Sequence, residues 1–171
     1  MTIDTNHFKV RTGTRTYDAA GYLRSLGADP ILVDEYIKDT FEEIQMKSHI
    51  MSNVEDIGSG IIIASVDDKL VSRSIISQVG DLLLGVKDIE AAFIISKINS
   101  EEVGVSARSN GKINVQMIME KMHGGGHMTA AGVQVKTKTV EEVKRELLNV
   151  VHEYIELKEA ENNESNIIKW C

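Results

Sequence analysis

Hydrophobic and polar positions change period along this chain, and the changes divide it. In residues 16–29, TYDAAGYLRSLGAD, Ala19, Tyr22, Leu23 and Leu26 fall at three- and four-residue intervals, the spacing of one helical face. Thr16 suits an N-cap there and Gly27 the position just past the helix end. Residues 30–53, PILVDEYIKDTFEEIQMKSHIMSN, continue the helical period through Leu32 or Val33, Tyr36 or Ile37, Phe41, Ile44 and Ile50. Pro30, the chain's only proline, suits the first turn of that helix. The spacing predicts one helix of about four turns or more. Before both helices, Ile3 followed by Asp4, Thr5 and Asn6 reads as the end of a buried strand turning into a loop. So abrupt a strand predicts a fragment whose earlier strands lie elsewhere.

From Gly60 the pattern becomes that of alternating strands and helices. GIIIASV has strand length and β-branching; LVSRSIISQVGDLLLG is helical through Val71, Ile75, Val79 and Leu82 or Leu83; IEAAFIISKI returns to a strand. A strand, helix, strand succession predicts a parallel pair. EEVGVSARS follows after so short a link that an antiparallel hairpin is expected. Asn114 can cap the next helix, carrying Val115, Ile118, Met119 and Met122, and HMTAAGVQV is the next strand. The last helix opens on a capping box, Thr139 with Glu142, and runs an apolar stripe through Val143, Leu147, Val150 or Val151 and Tyr154. ENNESNIIKWC, residues 161–171, reads as a flexible tail. The fold class is therefore α/β: a mixed β-sheet with flanking helices over roughly residues 60–158, preceded by a helical linker.

Composition narrows the function classes. With 171 residues, 42% of them hydrophobic, the chain can bury one core and a small satellite lobe. A net charge of -7 argues against a broad electrostatic grip on duplex nucleic acid; a small anion in a local pocket remains open. The single cysteine, Cys171, makes no disulfide framework and points to a reducing, cytoplasmic setting. No apolar run reaches membrane-span length.

Two stretches carry candidate chemistry. In EKMHGGGHMTAAGVQV, Gly124, Gly125 and Gly126 stand between His123 and His127. Consecutive glycines can reach left-handed backbone and turn successive N–H groups into one anion-binding concavity, with the His127 imidazole as a further donor at its rim. A glycine run also ends helices; one glycine suffices for that, so three ask for something more. His123, ending a helix, suits the helix dipole. In VGVSARSNG, strand alternation sends Ser106 and Arg108 to one face, opposite Val105, with Ser109, Asn110 and Gly111 in the turn beyond. An arginine at a strand end flanked by hydroxyls can hold a phosphate, although it also suits a polar surface turn.

Together these residues carry a resemblance. GVSARSNGKINVQMIMEKMHGGGHMTAAGVQV resembles the substrate-binding DHHA1 domain of the DHH phosphoesterase superfamily, which pairs an S-x-R-S strand end with a G-G-G-H loop. TIDTNHFKVRTGTRTYDAAGYLRSLGADP is similar to the segment in which the superfamily's catalytic DHH domain ends. The phrasing DTNHFKVRTGTRTYDAA and HGGGHMTAAGVQV is most like the GdpP-type cyclic-di-AMP phosphodiesterases of Gram-positive bacteria. The nanoRNase and RecJ-type exonuclease branches are the alternatives.

The resemblance implies a DHH remnant over residues 1–27, a helical linker over 28–58, a DHHA1-like domain over 59–160 and a tail over 161–171. It implies that Ser106, Arg108, Ser109, Asn110, Gly124, Gly125, Gly126 and His127 bind substrate, cyclic-di-AMP or a short nucleotide, and that Asp4 is one ligand of a two-manganese (Mn2+) site. It further implies hydrolysis to pApA, an upstream DHH domain as intramolecular partner, and a membrane-anchored parent. The chain departs from the pattern in having no Asp-His-His triplet, so no catalytic site is complete and the chain is expected to be inactive alone. His7, near Asp4, reads either as a further ligand or as loop decoration. A non-catalytic nucleotide-binding module is the reading from a different class. A homodimer surface on the methionine-bearing and terminal helices is also compatible with the pattern, methionine being equally ordinary core filler.

Overall fold

A computed structural model describes residues 1–5, 7–9 and 12–168, with side chains through residue 160. The chain divides into two compact units, Met1–Thr40 and Phe41–Cys171. In the first, α1 (Thr14–Ser25) and α2 (Pro30–Tyr36) form where the spacing predicts helices. Helix α1 begins earlier than expected, on Gly13 as N-cap; Thr16 instead accepts a hydrogen bond from the Gly13 N–H at 3.3 Å. Gly27 takes φ 95° just past the helix, the left-handed position a glycine fills at low cost. The strand end expected at Ile3 is a turn: the Thr5 N–H donates to the Met1 carbonyl at 3.0 Å, and Ile3 is 75% exposed. An apolar residue flanked by Thr2 and Asp4 here has no ladder to join. Neither α1 nor α2 buries a residue, so the apolar stripe predicted for the first helix exists but faces outward.

The long helix expected over residues 30–53 is two helices, α2 and α3 (Phe41–Met51). The break falls at the boundary between the units, within the segment read as a linker. Helix α3 buries Ile50 against the second unit's core, and β1 (Val54–Asp56), which the pattern did not predict, pairs antiparallel with β2 (Ile61–Leu70).

The second unit is a sheet with helices on both faces. After β2 come α4 (Arg73–Leu83), β3 (Ala91–Lys97), β4 (Glu102–Ser109), α5 (Val115–Lys121), β5 (Gly125–His127), β6 (Ala130–Lys136) and α6 (Val140–Ile168). Strands lie in the order β1-β2-β3-β4-β6-β5; β2 and β3 are parallel across α4, and the other neighbours are antiparallel. The predicted βαβ unit and following hairpin are both present. Helix α6 continues through the polar residues expected to form a flexible tail, and residues 169–171 lie outside the described residues.

Alternation along the strands gives each face its own core. Phe93, Ile95, Val103 and Val105 meet Ile118 and Met119 of α5 and Leu147 and Val151 of α6 on one face. Ile62, Ala64 and Ile94 meet Ile50 of α3 and Ile76, Val79 and Leu83 of α4 on the other. Capping fixes the helix starts where the sequence placed them. Asn114 Oδ1 accepts from the Gln116 and Met117 N–H groups, and Thr139 and Glu142 exchange both bonds of a capping box, at 2.8 and 3.2 Å. Met119 and Met122 are core residues, whereas Met117 is exposed. Among the described residues no helix is long and apolar enough to cross a membrane.

One surface pair ties α3 to β2: His49 Nε2 lies 2.9 Å from Asp68 Oδ1. That hydrogen bond holds the Asp68 carboxyl below its usual value, partial desolvation opposing it. A depressed carboxyl contributes stability in full above its unfolded value, about 3.9, and loses it as pH falls through the folded one. His49→Ala should therefore move the Asp68 titration upward and remove this share of the acid dependence. NMR titration of the Asp68 carboxyl checks it; an unchanged midpoint would contradict the pairing.

Candidate functional site, a groove over strands β4 and β6

The face that α3 and α4 cover is only partly covered. Register places Ala92, Arg108 and Ala130 side by side across β3, β4 and β6, and Ile94, Ser106 and Gly132 in the next row. A third row holds Ser96, Gly104 and Gln134. Helix α4 packs over β3 and the near side of β4. Beyond it the sheet carries only small or polar residues on this face: Gly104, Ser106 and Arg108 on β4, then Ala130, Gly132 and Gln134 on β6. The result is a concavity of about 420 Å³, floored by β4 and β6, with Arg73, Ile76 and Ser77 of α4 along one side and His123 and Gly124 on the other. Small-molecule sites commonly measure roughly 300–1,000 Å³.

Arg108 is held at one end of this groove. Its Nε donates to Asp81 Oδ1 at 3.1 Å, its Nη1 to the Ala107 carbonyl at 3.0 Å and its Nη2 to Ser77 Oγ. A guanidinium has five N–H donors, so two remain for a ligand after these three are used. Gly80 lets this happen: a Cβ there would stand 2.9 Å from Arg108 Cγ. Ser106 is buried, with 6% exposure, lines the groove, and its hydroxyl has no hydrogen-bond partner among the described residues. A free hydroxyl and a guanidinium with two N–H groups to spare, on residues that line one cavity, form a donor set suited to a phosphate.

The remaining candidates fall elsewhere. Ser109 Oγ donates to the Ile113 carbonyl at 2.5 Å and accepts from the Gly111 N–H at 2.9 Å. Asn110 Oδ1 accepts from the Lys112 N–H at 3.0 Å. Both side chains thus build the turn after β4. His127 is exposed on β5 and pairs with Ala130, in the row of Arg108 but outside the concavity. Asp4 is an exposed carboxylate in the first unit. Among the described residues no three His, Cys, Asp or Glu side chains gather in a metal-holding group. A two-metal centre needs several such ligands, and these residues do not supply it.

The glycine triplet differs from the expected chain of inward-turned amides. Helix α5 ends through His123, at φ 62°, whose N–H donates to the Glu120 carbonyl at 3.0 Å while the Gly124 N–H donates to the Met119 carbonyl at 2.8 Å. This is a Schellman ending with histidine at the left-handed position. The glycines then run as strand: Gly125 pairs with Gly132 and Gly126 with Ala131. Close approach demands Gly124, where a Cβ would stand 2.4 Å from the Gly132 carbonyl oxygen, and Gly126, where it would meet Ala131 Cα at 2.4 Å. Nothing lies within 4 Å of a Cβ at Gly125. Sequence reasoning missed Arg73, Ser77, Asp81 and Gln134. No local motif flags them, since the sheet register and the course of α4 alone bring them to the groove.

This fold and groove define an α/β lobe that presents hydrogen-bond donors on an open sheet face. Residues 58–157 match the DHHA1 domain family, and the chain belongs to it. It is 39% identical over 155 residues to the cyclic-di-AMP phosphodiesterase PdeA of Listeria monocytogenes serotype 1/2a (strain 10403S), covering 90% of this chain and 24% of that protein. It is 40% identical over 157 residues to the cyclic-di-AMP phosphodiesterase GdpP of Geobacillus thermodenitrificans (strain NG80-2), covering 91% of this chain and 24% of that one. The chain thus spans about a quarter of the length of these curated relatives. In fold it is similar to the crystal structure of an exopolyphosphatase-related protein from Bacteroides fragilis, with a TM-score of 0.81 at 19% identity over 92% of this chain and 48% of that one.

The glycine contacts generate a contrast within one motif. Gly124→Ala should cost about 1–3 kcal/mol through backbone collision, and Gly125→Ala should stay within about 0.5 kcal/mol of the parent. Denaturation midpoints of the two variants check this; equal losses would contradict the strand pairing of β5.

Proposed function

We propose that this chain is the substrate-binding portion of a metal-dependent phosphodiesterase that hydrolyses cyclic-di-AMP to the linear dinucleotide pApA. The observation that carries this reading is the donor set on the groove floor: the unpartnered Ser106 hydroxyl beside Arg108, whose guanidinium is fixed with two N–H groups to spare. The similarity to curated cyclic-di-AMP phosphodiesterases supports the choice of nucleotide.

In this reading the groove orients a phosphate and the bond is cleaved at a metal site that another domain of the parent provides. Asp4 contributes one ligand to that manganese site, and the DHH domain lies upstream in the parent, which is anchored in the membrane. His127 stands at the open end of the Arg108 row, able to meet the nucleotide from the sheet edge. The chain alone binds and does not turn over.

Calorimetric titration of cyclic-di-AMP and pApA into the chain tests this. Binding should weaken about tenfold or more in Arg108→Ala, the loss of a charge-assisted pair. The chain with manganese should show no hydrolysis of either nucleotide. Unaltered binding in Arg108→Ala would overturn the assignment of the site. Turnover by a preparation free of contaminating enzyme would overturn the division of labour. Binding of pApA alone would shift the substrate to short linear oligonucleotides.

A further inference from the structure

The groove has a second polar end, unlike the first and not used by the reading above. Arg73, the first residue of α4, reaches across it: its Nη2 donates to Gln134 Oε1 on β6 at 2.7 Å. That is its one hydrogen bond among the described residues, so four of its five N–H donors are free. The Gln134 amide N–H groups are also unengaged. Glu102 is the carboxylate near Arg73, and it is already taken by Asn99 at 2.8 Å and Lys136 at 3.5 Å.

His123 lines the same concavity. Gln134, on β6, lines it as well. Its imidazole has no hydrogen-bond partner among the described residues, and its backbone holds φ 62°, where glycine would sit without strain.

The two ends are well separated. Gln134 pairs with Gly104, and Arg108 is four residues further along β4, about 13 Å at 3.3 Å per residue. Between them the floor is Ser106 and Gly132, with no bulky side chain to divide the groove. Ser106 stands midway, two residues from either end.

We propose that Arg73, Gln134 and His123 form a second anion subsite, so that the groove takes ligands bearing two phosphate groups on successive nucleotides and discriminates dinucleotides from mononucleotides. Arg73 exchanges its bond to Gln134 for the second phosphate, and His123 donates to the same group or to its ribose. This rests on the nucleotide-binding reading of the groove and specifies its ligand class.

The test is calorimetric titration of AMP and pApA into the full 171-residue chain and into Arg73→Ala, Arg73→Lys, His123→Gly and Arg108→Ala. Arg73 and His123 are exposed, and glycine relieves the His123 backbone, so these variants should fold. The parent should bind pApA about tenfold more tightly than AMP, and Arg73→Ala and His123→Gly should each remove most of that preference while leaving AMP within about twofold. Arg73→Lys should regain part of it, and Arg108→Ala should weaken both ligands. If Arg73→Ala and His123→Gly reduce AMP and pApA equally, or change neither, the second subsite is wrong while the groove remains a nucleotide site. If the parent binds neither nucleotide, the nucleotide reading itself falls, and the subsite with it.

Discussion

A β-strand can give each face only every second side chain, and β4 divides its residues accordingly. Val103, Val105 and Ala107 enter the core beneath α5 and α6, and Gly104, Ser106 and Arg108 face the opposite side. The core residues lock the register, because a slip of one residue would exchange the two sets. The chemistry of the groove is thereby set by apolar packing on the other face of the same strand. Strand β6 repeats the division, with Ala131 and Val133 inward and Ala130, Gly132 and Gln134 on the floor. The groove stays open because β6 offers only a glycine and an alanine beside Ser106 and Arg108.

Close backbone approach then builds the far wall. Gly124 packs against the Gly132 carbonyl and Gly126 against Ala131, which brings β5 onto the sheet edge. The helix ends through His123 rather than through a glycine, and His123 lines the concavity. On the near wall, Gly80 lets the Arg108 side chain lie against α4, where Asp81 and Ser77 fix its guanidinium. Glycines on both walls therefore act by the atoms they lack, letting strand and helix come near enough to aim cationic and hydrogen-bonding side chains.

Much of this fold was legible because its elements carry strong local signals. The β-branched run at Ile61, the Asn114 cap and the Thr139–Glu142 box each appear where expected. The break between α2 and α3 was missed: Thr40-Phe41-Glu42-Glu43 follows a capping-box pattern, but the continuous apolar stripe masked it. Strand β1 was missed because three residues give no period. At the site, Ser106 and Arg108 followed from alternation alone. Ser109 and Asn110 share their motif yet serve the turn, and only hydrogen-bond partners reveal that. The Arg73–Gln134 pair spans 61 residues, a separation at which no spacing rule operates.

The central claim is that the open face of β4 and β6 is where this DHHA1 domain meets its nucleotide. Two-dimensional amide NMR of the labelled chain, titrated with cyclic-di-AMP, tests it most directly. The account predicts shifts concentrated at Arg73–Ser77, Gly104–Arg108, His123–Gly124 and Gly132–Gln134, with the Arg108 Nε resonance moving alongside them. Shifts concentrated on α5 and the exposed side of α6, with the groove amides unmoved, would contradict it.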